Sequence, residues 1–277
     1  MHSITGVAPA FNGSLAFNPS DGPVSIMSIY AHTLMRLAAL AGADPNEFVY
    51  DFKLDQWGLR REAGEPLMQH LERVTESGMW KSSNTALYDL SATGAAKIAR
   101  ERLRMSADTY YFSFSGRATF THPLTGFAVP VLTINPVFYE SARILGRMHI
   151  DPELPGDPRE WRNGDGCVSC AGGRYVLGQP HRDADPADMS FPPGIWNSFP
   201  TMEGYDHMAM VGIESPFNRH HRDVMPFYSD LARMLTATEP SHDAAAAAPG
   251  AAPRTAPVKA KKKAGATKAH RKPAPAR

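Results

Sequence analysis

Between residues 24 and 40, Ile26, Ile29, Tyr30, Leu34, Leu37 and Ala38 recur at roughly helical spacing, which predicts an amphipathic helix. Residues 67–74 and 91–105 carry the same periodicity in shorter form. In the second of these, Ser91 is placed to cap the helix N-terminus, and Arg100, Arg102 and Arg104 crowd the C-terminal end, where the helix dipole favours cations. Residues 109–114, TYYFSF, are dense in side chains that fit a pleated surface, and a glycine follows shortly; they predict the strongest strand. Ile4-Thr5-Gly6-Val7 reads as another strand, already under way just after Met1. Residues 48–59 mix apolar and charged positions up to Gly58. From 146 to 200 no period survives. Pro, Gly and Asp dominate, which predicts a long loop of the kind that carries function. The last helix is expected over 223–235, with Asp223 as its cap and Phe227, Leu231 and Leu235 as its apolar stripe. There is no internal repeat. Helices alternating with strands, and chemistry gathered in the loops, predict an α/β fold.

Composition narrows this picture. The 277 residues are 43% hydrophobic, 21% charged and 9% aromatic, which suits a globular chain with one large core or two small ones. The apolar stretches are interrupted well short of the ~18 residues that a membrane helix needs, so no transmembrane segment is expected. Residues 1–12 lack a basic start, a long apolar run and a small-residue cleavage site, and do not read as a secretory leader. The net charge of +1 hides an asymmetry: from His242 onward there are nine Lys or Arg against one acid, Asp243, leaving 20 basic against 27 acidic residues in the rest. Residues 1–239 are therefore expected to form the globule. Residues 240–277, rich in Ala, Pro and Lys, cannot bury enough apolar surface to offset their ordering entropy, and are expected to be a disordered tail. Its basic clusters, 259–263 and 270–272, suit an anionic partner or simple solubilisation. No aromatic residue interleaves the charges as a stacking platform would require, so nucleic acid is not the expected partner.

Two short segments carry candidate chemistry. Asn163-Gly164-Asp165-Gly166 presents a carboxylate between glycines, and Tyr205-Asp206-His207-Met208 places a histidine before an apolar run. Singly, each has an ordinary explanation: a turn aspartate that bonds its own backbone, and a packed histidine. Their order is more telling. In α/β-hydrolases the triad runs Ser, then Asp or Glu, then His along the chain. The carboxylate would hold the imidazole tautomer, and the imidazole would take and return the nucleophile's proton. The third member should be a serine in G-x-S-x-G, yet no serine here has glycine both two residues before and two after. Cys167 lies only two residues from Asp165, with no strand-turn-helix to present it as a substitute. C-V-S-C (Cys167, Cys170) has no second CxxC to complete a metal site and no βαβ setting for a redox motif. Neither a Gly-rich phosphate loop nor an H-E-x-x-H helix occurs.

Taken together, longer motifs resemble one family. Tyr50 to Leu59, YDFKLDQWGL, followed by Arg60 and Arg61, is very similar to the signature of the thermoalkalophilic Geobacillus-type and staphylococcal-type secreted bacterial lipases. In the same order follow Trp80, Asn84-Thr85-Ala86, Tyr88-Asp89-Leu90-Ser91, Thr109-Tyr110-Tyr111 with Ser113-Phe114-Ser115, and Leu124-Thr125-Gly126. Pro130, Asn135, Asp165-Gly166, Asp206-His207 and Gly212 close the series. Ser3-Ile4-Thr5 through Asn12-Gly13-Ser14 is similar to the strand and turn after that family's nucleophile helix. The resemblance covers about residues 2–235 and implies a partial α/β-hydrolase fold: a mostly parallel sheet flanked by helices, with a helical lid at about residues 18–43. It implies Asp165 as triad acid and His207 as triad base, acting on lipids or related esters at a lipid–water interface. The reaction itself requires no cofactor.

The family's metals fare unevenly in this sequence. Its zinc site has an Asp where this chain has Asn84, so zinc is not expected. Its calcium site would draw on Glu214, the carbonyl of Ser215 and the carbonyl of Thr133, but one carboxylate position is Ala209, so only weak calcium is expected. The resemblance further implies a secreted parent whose nucleophile elbow and oxyanion donors precede the segment starting at Met1. The chain is thus expected to be a fragment, a mis-called start or a degenerate remnant. The alternative is a non-catalytic remnant or lipid-binding module with a basic tail.

Overall fold

The computed structural model describes residues 2–18, 54–188, 190–213 and 224–238, all within the unit Met1–Glu239. The expected lid, apart from Asn18, lies outside these residues, as do Glu214, Ser215, Asp223 and the basic tail.

Strand β1 (Ser3–Val7) runs parallel to β2 (Tyr110–Phe114), in register from Ser3↔Tyr110 to Val7↔Phe114. Two three-residue strands, β6 (His181–Asp183) and β7 (Trp196–Ser198), complete a four-stranded sheet in the order β1-β2-β7-β6, every pair parallel. A parallel sheet is covered on both faces, and β2 shows why this sequence suits it. Strand side chains alternate between faces. Phe112 and Phe114 join a cluster with Phe191, Phe199, Tyr205 and Met210, together with Met234 of the last helix, α8 (Val224–Ala237). Tyr111 instead packs with Trp196 and Val176, and Phe11 closes over them. Beyond the C-terminal ends of β2 and β7 the chain continues into a small parallel pair, β3 (Gly116–Arg117) with β8 (Met202–Glu203). The antiparallel hairpin β4 (Thr119–Thr121) and β5 (Ala128–Pro130) follows β3.

The crossover from β1 to β2 contains α1 (Leu67–Thr75), α2 (Ala86–Asp89) and α3 (Ala92–Glu101). Ser91 caps α3 as its position predicts, accepting a hydrogen bond from the Gly94 amide. The helix is shorter than its periodicity suggests. It ends at Glu101, because Leu103 and Met105 leave the helical path to pack against the Tyr111–Trp196 cluster. A second core gathers around α4 (Pro136–Leu145), whose Val137, Phe138, Ala142 and Leu145 meet Leu15, Ile150 and Trp161. Asn135 caps α4 with Pro136 in its first turn, a favourable pairing because proline there has no amide left unbonded.

The stretch 146–200 is not the continuous loop its composition suggests. It contains α5 (Pro158–Arg162), α6 (Cys170–Gly173) and two strands of the main sheet, β6 and β7. Elements of three to five residues are too short to show a period. The remaining helix, α7 (His207–Met210), is a single turn.

Phe112 is 0% exposed and sets its ring edge-on to Phe191. Phe112→Ala is expected to lower stability by about 3–5 kcal/mol, since it removes a large buried ring and leaves a cavity. Denaturant unfolding checks this, and a loss below about 1 kcal/mol would show that the aromatic cluster does not anchor the sheet.

Candidate active site

Asp165 sits on a loop held from several sides. Buried Asn163 donates from Nδ2 to Thr121 Oγ1 (2.8 Å) and to the Arg159 carbonyl (3.0 Å). Thr119 Oγ1 donates to Asn163 Oδ1 (3.0 Å) and accepts from the Gly164 amide (3.0 Å). The Ala118 amide donates to the Gly164 carbonyl at 2.8 Å, so the loop is stitched to the start of the β4 hairpin. Gly166 has φ +95°, and an added Cβ would lie 2.6 Å from Phe138 Cβ, so both its backbone shape and the close approach of α4 demand glycine.

Within this frame the Asp165 carboxylate is 2% exposed and its two oxygens have separate duties. Oδ1 accepts from the amides of Cys167 (2.9 Å) and Val168 (2.7 Å). Oδ2 lies 2.7 Å from His207 Nδ1. The segments also meet through the backbone: the His207 amide donates to the Asp165 carbonyl at 3.0 Å. A carboxylate accepts only, so Nδ1 carries the proton and Nε2 is the ring nitrogen left for proton transfer.

His207 opens α7, and Asp206 caps that turn by accepting from the Ala209 amide (2.9 Å). Phe138 packs edge-on against the imidazole, with ring centroids 6.1 Å apart. The His207 side chain is 30% exposed, while its carboxylate partner is closed off. Burial by itself would lower the imidazole pKa; the hydrogen bond and charge of Asp165, with the charge of Asp206, outweigh it and hold the pKa above the ordinary value. The folded state therefore favours the imidazolium. Its contribution to stability is present in full below the unfolded value of about 6.5 and is lost as pH rises through the raised folded value.

The pair lies beyond the C-terminal ends of β2 and β7, where open parallel sheets place their chemistry. Neither Cys167 nor Cys170 is in a disulfide. Cys170 is buried and its thiol is pushed far up by desolvation, which makes it a poor nucleophile. The backbone around Cys167 supports the Asp165 carboxylate: its amide donates to Asp165, and its carbonyl accepts from Ser14 Oγ at 2.5 Å.

Two of the positions that the resemblance gives to metals carry no carboxylate, and Glu214 and Ser215 lie outside the described residues. Ala209, at one calcium carboxylate position, is buried, and its amide is taken by Asp206. Asn84, at the zinc position, offers a neutral amide. Among the described residues, no group of three or more His, Cys, Asp or Glu side chains could hold a metal ion.

Residues 1–246 match the family described as lipase-like, C-terminal domain. The chain belongs to this lipase-like family. The lipase of Staphylococcus hyicus is 28% identical over 238 residues, which cover 86% of this chain and 34% of that protein. Lipase 2 of Staphylococcus aureus is 27% identical over 239 residues, covering 86% and 32%. This lipase-like domain thus spans about a third of the length of the curated relatives it matches. The crystal structure of Staphylococcus hyicus lipase superposes with a TM-score of 0.63 at 26% identity, over 87% of this chain and 58% of that one. EstA from Clostridium botulinum gives 0.65 at 28% identity, over 85% and 53%. The mixed α/β architecture is that of the lipase α/β-hydrolases.

Sequence reasoning named Asp165 and His207, and the lipase-like domain brings them together. It missed the residues that hold them: Asn163, Thr119, Phe138 and Asp206. Only Asn135-Pro136, a cap followed by proline, left a readable signal for α4. Gly156 provides a control for Gly166, because it has the same φ of +95° with nothing within 4 Å of an added Cβ. Gly156→Ala should therefore cost only backbone strain, about 1–3 kcal/mol, while Gly166→Ala adds the collision with Phe138 and costs more. Equal losses in denaturant unfolding would contradict the requirement for a close α4 contact.

Proposed function

We propose that the chain carries the acid and base of a lipase-type carboxylic ester hydrolase, with Asp165 orienting and His207 transferring the proton. The 2.7 Å bond between a buried carboxylate and a partly open imidazole, in a chain of a lipase-like family, carries this reading. In the proposed reaction, His207 Nε2 takes the proton of a serine hydroxyl as its oxygen attacks the ester carbonyl. Asp165 stabilises the imidazolium so formed. The proton then passes to the departing alkoxide, leaving an acyl-serine that water, activated by the same nitrogen, hydrolyses. No G-x-S-x-G occurs in the 277 residues, so the serine and the oxyanion donors are assigned to polypeptide outside them, and the chain alone is inactive in this proposal.

The substrate class proposed is acylglycerols or related esters presented at a lipid–water interface, with residues 18–43 as a lid over the acyl site. The parent would be secreted. No helix among the described residues is long and apolar enough to cross a membrane. Glu214 would contribute at most to a weak calcium site, and residues 240–277 would be a solubilising tail. A second reading, a non-catalytic remnant that binds lipid, is favoured by one observation, the missing G-x-S-x-G.

One comparison separates the two readings. The 277-residue chain and a form extended by the in-frame sequence upstream of Met1 are assayed on short-chain and long-chain esters. The proposal expects background rates from the chain alone. It expects hydrolysis by the extended form, falling at least about 10³-fold on His207→Ala. Turnover by the chain alone that His207→Ala abolishes would show a nucleophile within it. An extended form that stays inactive, or is indifferent to His207→Ala, would overturn the proposal in favour of the remnant.

A further inference from the structure

We infer that Asp206 is a positioning residue: its carboxylate ties the turn before α4 to the head of α7, and thereby fixes the His207 ring on Asp165. The inference rests on the reading of Asp165 and His207 as acid and base. Its starting observation is a carboxylate that is 0% exposed and accepts a backbone amide at each of its two oxygens. Burying a charge in this way is tolerable only when fixed donors replace water. Oδ1 accepts from the Ala209 amide at 2.9 Å, which is ordinary helix capping. Oδ2 accepts from the Asn135 amide at 2.9 Å, 71 residues away, and capping does not account for that bond.

The Asn135 bond closes a circuit. Asn135 Oδ1 accepts from the Val137 amide and so begins α4. One turn on, Phe138 lies against both His207 and the face of Gly166. Ser141 Oγ then donates to the Gly166 carbonyl at 2.8 Å. Gly166 follows Asp165, Asp165 holds His207, and His207 follows Asp206. A shift of α7 would have to break the Asn135 bond or drive the imidazole against Phe138. Among the described residues, the charged groups facing the imidazole are Asp165 from the loop and Asp206 from its own turn, while α4 presents the uncharged Phe138. Asp206 thus acts on His207 both by place and by charge, without touching the ring's proton-transfer nitrogen.

The test follows His207 by NMR in the full 277-residue chain, reading the imidazole pKa and the exchange rate of the Nδ1 proton. Asp206→Asn keeps an oxygen for the Ala209 amide but loses the charge and the second full acceptor. It should lower the His207 pKa by about half a unit or more and speed Nδ1 proton exchange. Ser91→Ala removes a cap of the same kind at α3 and should change neither. Asn135 has φ −56°, which suits proline, so Asn135→Pro removes the amide donor. Asn135→Ala loses only the side-chain cap. Faster Nδ1 exchange in Asn135→Pro than in Asn135→Ala supports the inference even if Asp206→Asn does not fold. Asp165→Asn separates this inference from its premise. If that substitution leaves the His207 pKa in place, the acid–base reading itself fails. If it lowers the pKa while Asp206→Asn and Asn135→Pro leave pKa and exchange as in the parent chain, Asp206 is a cap alone and only this inference is overturned.

Discussion

Removing the Asp165 carboxylate from water is the costly step on which the rest of the site depends. A buried, unpartnered carboxylate would be destabilising by several kcal/mol or would take up a proton. Here the Cys167 and Val168 amides and the His207 ring replace the lost water. The amides point inward because the chain turns at Gly166 with φ +95°. The turn keeps its place because Asn163 and Thr119 bind it to the β4 hairpin and Ser141 binds it to α4. Packing around α4 therefore serves electrostatics as well as the core: the same helix that buries Phe138 and Ala142 closes the site behind the carboxylate.

This dependence explains why the site occupies the ends of β2 and β7. Parallel neighbours deliver successive connections to one edge of the sheet, and those after β2 and β7 carry Asp165 and His207. The twinned β3–β8 pair extends that edge, and the Gly204 amide bonds the Arg117 carbonyl just before α7 begins. The His207 ring is left partly open while the Asp165 carboxylate is sealed, the asymmetry that the proposed proton transfer needs.

The legible part of the molecule was whatever a local signal fixes. Ser91 announces α3 because a cap needs only its own side chain and the amides just ahead, and the aromatic run at 109–114 announces β2. Asp165 and His207 were legible through their order in the chain and a family resemblance, since neither has an unusual neighbourhood in sequence. The three-residue strands β6 and β7 were hidden: Trp196-Asn197-Ser198 becomes a strand only through pairing with Tyr111, Phe112 and Ser113, more than eighty positions earlier. Asp206 was hidden for a related reason. In the sequence it is only the residue before His207, while its second bond goes to the Asn135 amide, which no local pattern reports.

A double-mutant cycle measures directly whether Asp165 and His207 act as a coupled pair in this chain. Stability is determined for the parent, Asp165→Asn, His207→Gln and the double variant, at pH 5.5 and at pH 9. A raised folded imidazole pKa means that the charged pair contributes fully at the lower pH and less at the higher. The expected coupling is about 1.5–3 kcal/mol at pH 5.5, as for a hydrogen bond between charged groups, and distinctly smaller at pH 9. Losses that add to within about 0.5 kcal/mol at both pH values would contradict the account, because the carboxylate would then be held by its backbone amides alone.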